Sequence, residues 1–180
     1  MAEPTPSGRR QLLVIMGIAL ITLGGSYLLF YFASQSGGWG TTNHGEFVSP
    51  PITRQELGWD FANPADGQHW FLWVVGGAEC ADACQQKVKD MRALHILLTA
   101  EAGRVRRAVS SLDGAEYELS EPFPKLQRVR LVVPGRAAGL REGVYTVDPN
   151  GNLVFYYAMD VDPKLILEDL KKLLKVSQIG

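Results

Sequence analysis

The longest hydrophobic segment of the chain is Leu12 to Phe32, about twenty residues without a charge. A helix of this length can cross the roughly 30 Å hydrocarbon core of a bilayer. The segment has no polar face, which argues against a helix buried in a soluble core. A cleaved signal peptide is the alternative, because the small residues Ala33 and Ser34 follow. Such signals have apolar cores of only about 7–15 residues, so we favour an uncleaved anchor.

The charges that flank this segment predict its orientation. Arg9 and Arg10 precede it, whereas Ser34 to Gly45 contains no lysine or arginine. The positive-inside rule then places the N-terminus in the cytoplasm and the rest of the chain outside. The layout of one anchor and one domain is typical of a bacterial inner-membrane protein with a periplasmic domain. We expect Trp39 to lie at the membrane interface.

We divide the chain into four parts on this pattern. Residues 1–10 form a cytoplasmic stub, disordered over Met1 to Gly8, and residues 11–33 form the transmembrane anchor. Residues 34–45 are rich in Gly and Ser and form a flexible tether. Residues 46–180 form the folded domain.

Within the domain, an uninterrupted apolar run from Trp70 to Val75 predicts a buried β-strand. Gly76 and Gly77 end it, and a helix follows from about Ala81 to Ala100. The apolar positions of that helix recur at helical spacing and should form its core face: Cys84, Val88, Met91, Leu94 and Leu98.

The C-terminal half predicts further strands and a closing helix. Strands are expected at Val105–Leu112 and Val129–Val133, and a hairpin at Val144–Val147 and Leu153–Tyr157, joined by the turn signal Asp-Pro-Asn-Gly. A last helix should begin at Pro163 with Asp162 as N-cap. Its core face is expected to contain Leu165, Ile166, Leu170, Leu173 and Leu174.

Weaker signals precede the first strong strand. Asn43 to Val48 should be a short edge strand or an ordered arm, Thr53 to Phe61 a second short strand, and Asn63 to Gly67 a turn. The whole order predicts an α/β domain of thioredoxin-like layout, a mixed sheet with helices on both faces. We expect eight side chains to be buried: Leu72, Val74, Val88, Leu94, Val132, Val147, Leu170 and Leu173.

The net charge and the cysteine content limit the possible functions more than they limit the possible folds. A net charge of −1 over 180 residues gives no electrostatic reason to expect a nucleic-acid partner.

The chain has two cysteines, Cys80 and Cys84, at the predicted start of the helix, where amide groups stabilise a thiolate. Residues four apart on a regular helix have Cβ atoms about 5–6 Å apart, whereas a disulfide needs about 3.8 Å. Cys80 must therefore lie on the bend before the first full turn, or the turn must tighten on oxidation.

Three chemistries remain open for the cysteine pair. The thiols can exchange with other disulfides, can hold a soft ion such as Cu(I), or can form a purely structural bridge. The acidic residues Glu79 and Asp82 suit a helix N-terminus but oppose a thiolate, and Lys87, placed off the apolar face, lies a turn further on.

The three histidines offer little help as metal ligands. His95 lies about 16 Å along the helix from Cys84 and is expected to be a satisfied helix histidine. His69 stands at the far end of the strand, about 20 Å from the cysteines. His44, on the arm after the tether, is the one histidine that could reach the site.

Other polar residues have ordinary structural explanations. We expect Asp148 and Asp162 to serve as turn and N-cap residues. Arg104, Arg106 and Arg107 form a short basic run, for which we favour a solvated strand edge over a phosphate site. Trp59, Trp70 and Trp73 should belong to the core.

With these features together, the chain resembles the thioredoxin superfamily and, within it, the Sco/SenC group. The resemblance rests on the N-terminal anchor, the step from strand to CxxxC at Cys80 and Cys84, and the hairpin VYTVDPNGNL, and it covers roughly Phe47 to Gly180. It implies a membrane-anchored thioredoxin-like fold and a role in building the copper centre of cytochrome c oxidase. An oxidase subunit or another assembly factor would be the partner, and copper the metal handled.

Three positions differ from what the resemblance implies. Sco proteins have proline after the second cysteine, where this chain has Gln85. They take a third copper ligand from a histidine in the loop before the hairpin, and Pro134 to Gly143 contains none. The cis-proline of thioredoxins would fall near Gly143. We therefore expect weak Cu(I) binding by Cys80 and Cys84, with His44 as the one candidate for a third ligand.

Three functions follow as hypotheses. An assembly factor that handles thiols or copper is favoured over an enzyme. A binding module with a structural disulfide, or a general periplasmic thiol–disulfide oxidoreductase, are the alternatives.

Overall fold

A computed structural model describes residues 6–35, 42–59, 68–114, 119, 122–177 and 179. The chain divides into two units, residues 1–42 and 43–180. The predicted turn at Asn63–Gly67 and the predicted interfacial Trp39 lie outside the described residues.

The first unit contains one helix, α1 (Pro6–Gln35). Its segment Gly8–Ser34 has 27 residues and contains an 18-residue window with a mean hydropathy of 2.2, so it is long and apolar enough to cross a membrane. The helix begins at Pro6, so residues 6–8 of the segment expected to be disordered are helical, and residues 1–5 lie outside the described residues. Proline fits the first helical turn, where its missing N–H would have no partner.

In the second unit, the described residues form six strands, two α-helices and a 3₁₀ helix. In chain order they are β1 (Glu46–Phe47), β2 (Trp70–Gly76), α2 (Asp82–Leu97), a 3₁₀ helix (Thr99–Arg104), β3 (Val105–Ser111), β4 (Leu126–Arg128), β5 (Gly143–Val147), β6 (Leu153–Tyr157) and α3 (Pro163–Val176).

The strands form one mixed sheet in the order β1-β6-β5-β2-β3-β4. The β2–α2–β3 unit is a parallel crossover, and β4 adds to β3 in parallel. Strands β5 and β6 form the predicted hairpin, with β5 antiparallel to β2 and β1 antiparallel to β6. Strand β2 is central, as its unbroken apolar sequence predicts for a strand covered on both faces. The predicted thioredoxin-like α/β fold is confirmed.

One face of the sheet is covered by both helices of this unit. The inward residues of β2 are Trp70, Leu72 and Val74, and they pack in one cluster with apolar residues of α2 and α3. All five core positions predicted for the helix that follows β2, which is α2, are buried. On α3, Ile166, Leu170 and Leu174 are buried, whereas Leu165 and Leu173 are only partly so.

The other face has an apolar core without a helix among the described residues. Phe71, Trp73 and Val75 of β2 pack there against Leu57, Trp59 and Leu131, which belong to the segments before β2 and after β4. The rings of Trp59 and Trp73 contact each other with 5.0 Å between their centroids and a tilt of 50° between their planes. The expectation of helices on both faces was therefore wrong for the described part of the chain, since loops supply the second layer.

The strand predicted at Val129–Val133 was also wrong. The strand is three residues earlier, at Leu126–Arg128, and the chain then leaves the sheet to cross the loop-covered face. There Leu131 is buried, but Val132, expected in the core, is 77% exposed. The backbone N–H groups of Val132 and Val133 both donate to the Leu57 carbonyl instead of to a strand.

The predictions at the N-terminal side of the domain had mixed outcomes. The arm at Asn43–Val48 contains the expected short edge strand, β1. Thr53 makes a single bridge to Asn152 and is followed by a turn, so the second short strand was wrong. The N-cap was correct: the Asp162 carboxylate accepts from the Lys164 N–H at 2.9 Å, and Pro163 follows.

Candidate redox site

Cys80 and Cys84 form a disulfide, with sulfur atoms 2.05 Å apart and Cα atoms 5.1 Å apart. Cys80 precedes the first residue of α2 and Cys84 lies in its first turn. The two cysteines can meet because Cys80 is on the bend, as the spacing argument required. The bridge therefore closes the junction between the end of β2 and the start of α2.

Hydrogen bonds hold this junction in place. The Ala81 N–H donates to the Glu79 carbonyl, and the side-chain amide of Gln85 donates to the Cys80 carbonyl at 3.1 Å. The Ser111 hydroxyl, at the end of β3, donates to the Gly77 carbonyl at 3.1 Å. Gln85, at the position where the resemblance leads one to expect proline, thus fixes the backbone of the first cysteine.

The disulfide is nearly covered by protein. Cys80 is 7% exposed and Cys84 is 5% exposed, and both belong to the cluster beneath α2 and α3. A sulfur must be approached in line by an attacking thiolate, so the rate of exchange depends on access. Exchange at this bridge requires the junction to open locally.

The charged groups nearest the junction are acidic residues and one buried lysine. Asp82 lies in the first turn of α2, and a Cβ placed on Gly77 would lie 2.9 Å from a carboxylate oxygen of Glu142. Lys87 is buried, contrary to the expectation that it lies off the core face, and its ammonium donates to the Val161 carbonyl at 2.7 Å. Loss of solvation on burial lowers the pKa of Lys87 below that of a free lysine.

The structure places the three histidines in separate surroundings. The His95 Nε2 atom lies 3.0 Å from the Ala102 and Val105 carbonyl oxygens, so this histidine is satisfied locally, as expected. His69 precedes β2, at the opposite end of that strand from the cysteine junction. The His44 ring lies 3.2 Å from Glu168 on α3.

The backbone at His44 is held by a residue that sequence reasoning missed. The buried carboxylate of Asp169 accepts from the His44 N–H at 2.6 Å, the Gly45 N–H at 3.0 Å and the Tyr157 hydroxyl at 3.2 Å. We call this set the Asp169 clamp. Burial and the adjacent Asp169 raise the pKa of Tyr157 far above that of a free tyrosine. The available signal was an aspartate three positions after Ile166, on the apolar face of α3.

The expectation of a solvated strand edge at the basic run was wrong. Arg104 ends the 3₁₀ helix, and Arg106 and Arg107 belong to β3, which lies between β2 and β4. Arg104 donates to the carbonyl oxygens of Leu174, Ser177 and Ile179, and so ties the C-terminal segment to the domain. Arg107 is 6% exposed and lies on the helix-covered face.

Among the described residues, no group of three or more His, Cys, Asp or Glu side chains lies close enough to hold a metal ion. The donors at the junction are therefore two sulfurs that become thiolates only on reduction. Two soft donors alone do not complete the coordination of a resident metal ion.

The fold and the bridge at the start of α2 define the molecule as a thioredoxin-like domain with a cysteine pair. Residues 70–177 match the family model described as "Transmembrane-like, thioredoxin-like, C-terminal domain". Because this match covers more than half of the chain, the protein belongs to that family.

Solved structures of Sco proteins share the fold. The chain is 18% identical to apo Sco1 from Thermus thermophilus, with a TM-score of 0.50 over 76% of this chain and 99% of that one. Yeast Sco1 with copper bound is 15% identical, with a TM-score of 0.50 over 77% and 96% of the two chains. No curated protein sequence matches significantly. The resemblance to Sco/SenC proteins is thereby confirmed at the level of fold.

Proposed function

We propose that this protein is a membrane-anchored thiol–disulfide protein that assists the assembly of cytochrome c oxidase through Cys80 and Cys84. The observation that carries the proposal is the disulfide at the junction of β2 and α2 in a thioredoxin-like fold. On reduction, two electrons and two protons convert the bridge to two thiols, and a partner dithiol becomes a disulfide in the same exchange.

The anchor and the polarity of its flanks support a location for this chemistry. We propose a bacterial inner-membrane protein with residues 1–10 in the cytoplasm, residues 11–33 in the membrane and residues 34–45 as a tether. The domain, residues 46–180, then lies in the oxidising periplasm, where a disulfide persists. A reporter fused after Gly180 should be active only on the periplasmic side, and activity in the cytoplasm would overturn this topology.

The reduction potential of the bridge distinguishes a redox role from that of a purely structural disulfide. We would equilibrate the full chain in detergent micelles with glutathione mixtures and trap free thiols by alkylation. Structural disulfides have potentials below about −300 mV, so we expect a higher value here. A lower value would favour the alternative, a binding module with a structural disulfide.

Two variants control the redox measurement. Cys80→Ser should lose the transition between dithiol and internal disulfide, because its single thiol can form only a mixed disulfide with glutathione. Ala78→Ser changes an exposed residue of the same junction and should leave the potential unchanged. Equal shifts in both variants would show that the measurement reports folding and not the cysteine pair.

The role in oxidase assembly requires a measurement in cells. Deletion of the gene should lower the yield of assembled cytochrome c oxidase, and wild type should restore it. A variant in which both cysteines are serine should not restore it, whereas Ala78→Ser should. Full restoration by the double variant would refute a thiol-based role and leave general oxidoreductase chemistry without support as well.

Delivery of Cu(I) is the second candidate, with copper as cargo held by the reduced thiolates of Cys80 and Cys84. It is favoured by the shared fold with yeast Sco1, whose structure contains copper. Competition against a Cu(I) chelator should show weak binding that is lost in Cys80→Ser. Wild-type binding no stronger than that of Cys80→Ser would exclude the copper role.

His44 remains a low-ranking proposal for a third ligand. The Asp169 clamp holds the His44 backbone, and the ring faces Glu168. We therefore expect His44→Ala to bind Cu(I) as wild type does. A tenfold loss of affinity, about 1.4 kcal/mol, would show that the arm closes over the cysteines.

A further inference from the structure

Arg107 is a buried cation whose hydrogen bonds are incomplete. Its side chain is 6% exposed; the Nη2 atom donates to the Pro124 carbonyl at 2.8 Å, but the buried Nη1 atom has no hydrogen-bond partner. An unsatisfied buried donor of a charged group costs free energy of a few kcal/mol, so such groups call for a specific explanation.

The electrostatic surroundings of Arg107 are positive. The loss of solvation on burial and the nearby Arg92 on α2 both lower the pKa of Arg107. Among the described residues, no carboxylate offsets this positive charge. A guanidinium that stays protonated in such a place is well suited to receive an anion from outside.

A cavity adjoins this arginine. It has a volume of about 360 Å³ and lies between the last turns of α2 and the strands β3 and β4. Its lining includes Arg107, Arg106, Lys125, His95 and Gln127, and no acidic residue among those described. The volume is at the lower end of the range for small-molecule sites, about 300–1,000 Å³.

We propose that this cavity, the Arg107 pocket, binds a small oxyanion, the carboxylate or phosphate group of a small molecule. Arg107 supplies the buried guanidinium, which can bind either group through parallel N–H donors. Lys125, exposed on the turn before β4, supplies a second cation at the rim. Because Nη1 is buried, the side chains at the rim must shift for the anion to reach it. This site lies on β3 and β4 and does not depend on the redox role of the cysteines.

The test is a titration of the full chain in detergent micelles with inorganic phosphate and, separately, with succinate. Chloride keeps the ionic strength constant, so that general screening cannot produce the signal. We expect saturable heat of binding with at least one of the two ions and a matching rise in Tm. The stronger ion distinguishes a phosphate site from a carboxylate site. The absence of saturable binding with both ions would overturn the proposal.

Three variants test the location of binding. Arg107→Met should abolish binding, and Lys125→Gln, an exposed change that leaves the fold intact, should weaken it by roughly threefold or more. Lys171→Gln removes an exposed charge on α3, outside the pocket, and should change nothing. Equal weakening by Lys171→Gln would show diffuse surface attraction and overturn the site.

The segment between β3 and β4 contains three glutamates, Glu116, Glu118 and Glu121. If binding is found only when all three are replaced by glutamine, a carboxylate of the chain itself occupies the pocket, and the proposal of an external ligand is overturned. Binding by wild type with the same affinity as this variant supports it.

Discussion

Replacement of Asp169 by alanine should destabilise the domain more than any other single change of a charged residue in the arm or α3. The carboxylate is 1% exposed and its Oδ2 atom accepts three hydrogen bonds. Two of the donors are backbone N–H groups of the arm and the third is the hydroxyl of Tyr157 on β6. Alanine removes the acceptor and leaves all three donors without it.

The magnitude follows from these contacts. Each buried donor left unsatisfied costs about 1–3 kcal/mol, so an arm that stayed in place would cost roughly 3–9 kcal/mol in total. The arm can instead detach and become hydrated, at the expense of the two-residue β1 pairing and the contact of Phe47 with Phe155, 4.8 Å between ring centroids. The smaller of the two costs applies, and we expect a loss of about 3 kcal/mol.

Urea unfolding of the full chain in detergent micelles, followed by tryptophan fluorescence, measures this loss. Glu168→Gln is the matched control, since it removes the neighbouring carboxylate, which is 60% exposed and faces His44. We expect it to cost less than about 0.5 kcal/mol. A loss below about 1 kcal/mol for Asp169→Ala, or equal losses for the two variants, would refute the clamp as a stabilising element.

Three other predictions concern stability. The pKa of Tyr157 is raised in the folded state, so above about pH 10 the folded state keeps the phenol proton that the unfolded state loses. The free energy of unfolding should therefore fall as the pH rises above about 10. Urea titrations should show a shallower fall for Tyr157→Phe. Gly143→Ala should cost about 3 kcal/mol, because the new Cβ would clash with the Tyr157 carbonyl oxygen, whereas the new Cβ of Gly103→Ala meets nothing within 4 Å. Similar Tm values for the two variants would contradict this. Leu131→Ala should cost about 2–3 kcal/mol and Val132→Ala less than about 0.5 kcal/mol, and equal costs in chemical denaturation would place Val132 in the core after all.

The elements that could be predicted from the sequence are those with strong local signals. Strand β2 is an unbroken apolar run, the β5–β6 hairpin has a turn sequence between two strands, and α3 has both an N-cap and a first-turn proline. In each case the local preference and the tertiary structure agree, and the boundaries matched within a residue or two.

The parts that could not be predicted depend on contacts distant in sequence. The segment after β4 is as apolar as a strand, but its N–H groups pair with Leu57, more than seventy residues earlier. Lys87 has a helical spacing that places it beside Cys84, and only the Val161 carbonyl explains why a lysine is buried there. The position of Cys80 on the bend before α2 was predicted correctly, because a bridge between residues four apart requires it. The Asp169 clamp and the Arg107 pocket, by contrast, join three or more elements.

If residues 34–45 act as the proposed tether, the attachment of the arm has a mechanical consequence for the domain. Any tension transmitted along the chain before residue 43 enters the domain at the Asp169 clamp and at β1, on the outer edge of the sheet. Strands β6 and β5 stand between that edge and β2, which leads to the disulfide. A pull strong enough to break the clamp would first peel the arm from β6 and lengthen the connection by several residues, before the force reached the junction that holds Cys80 and Cys84.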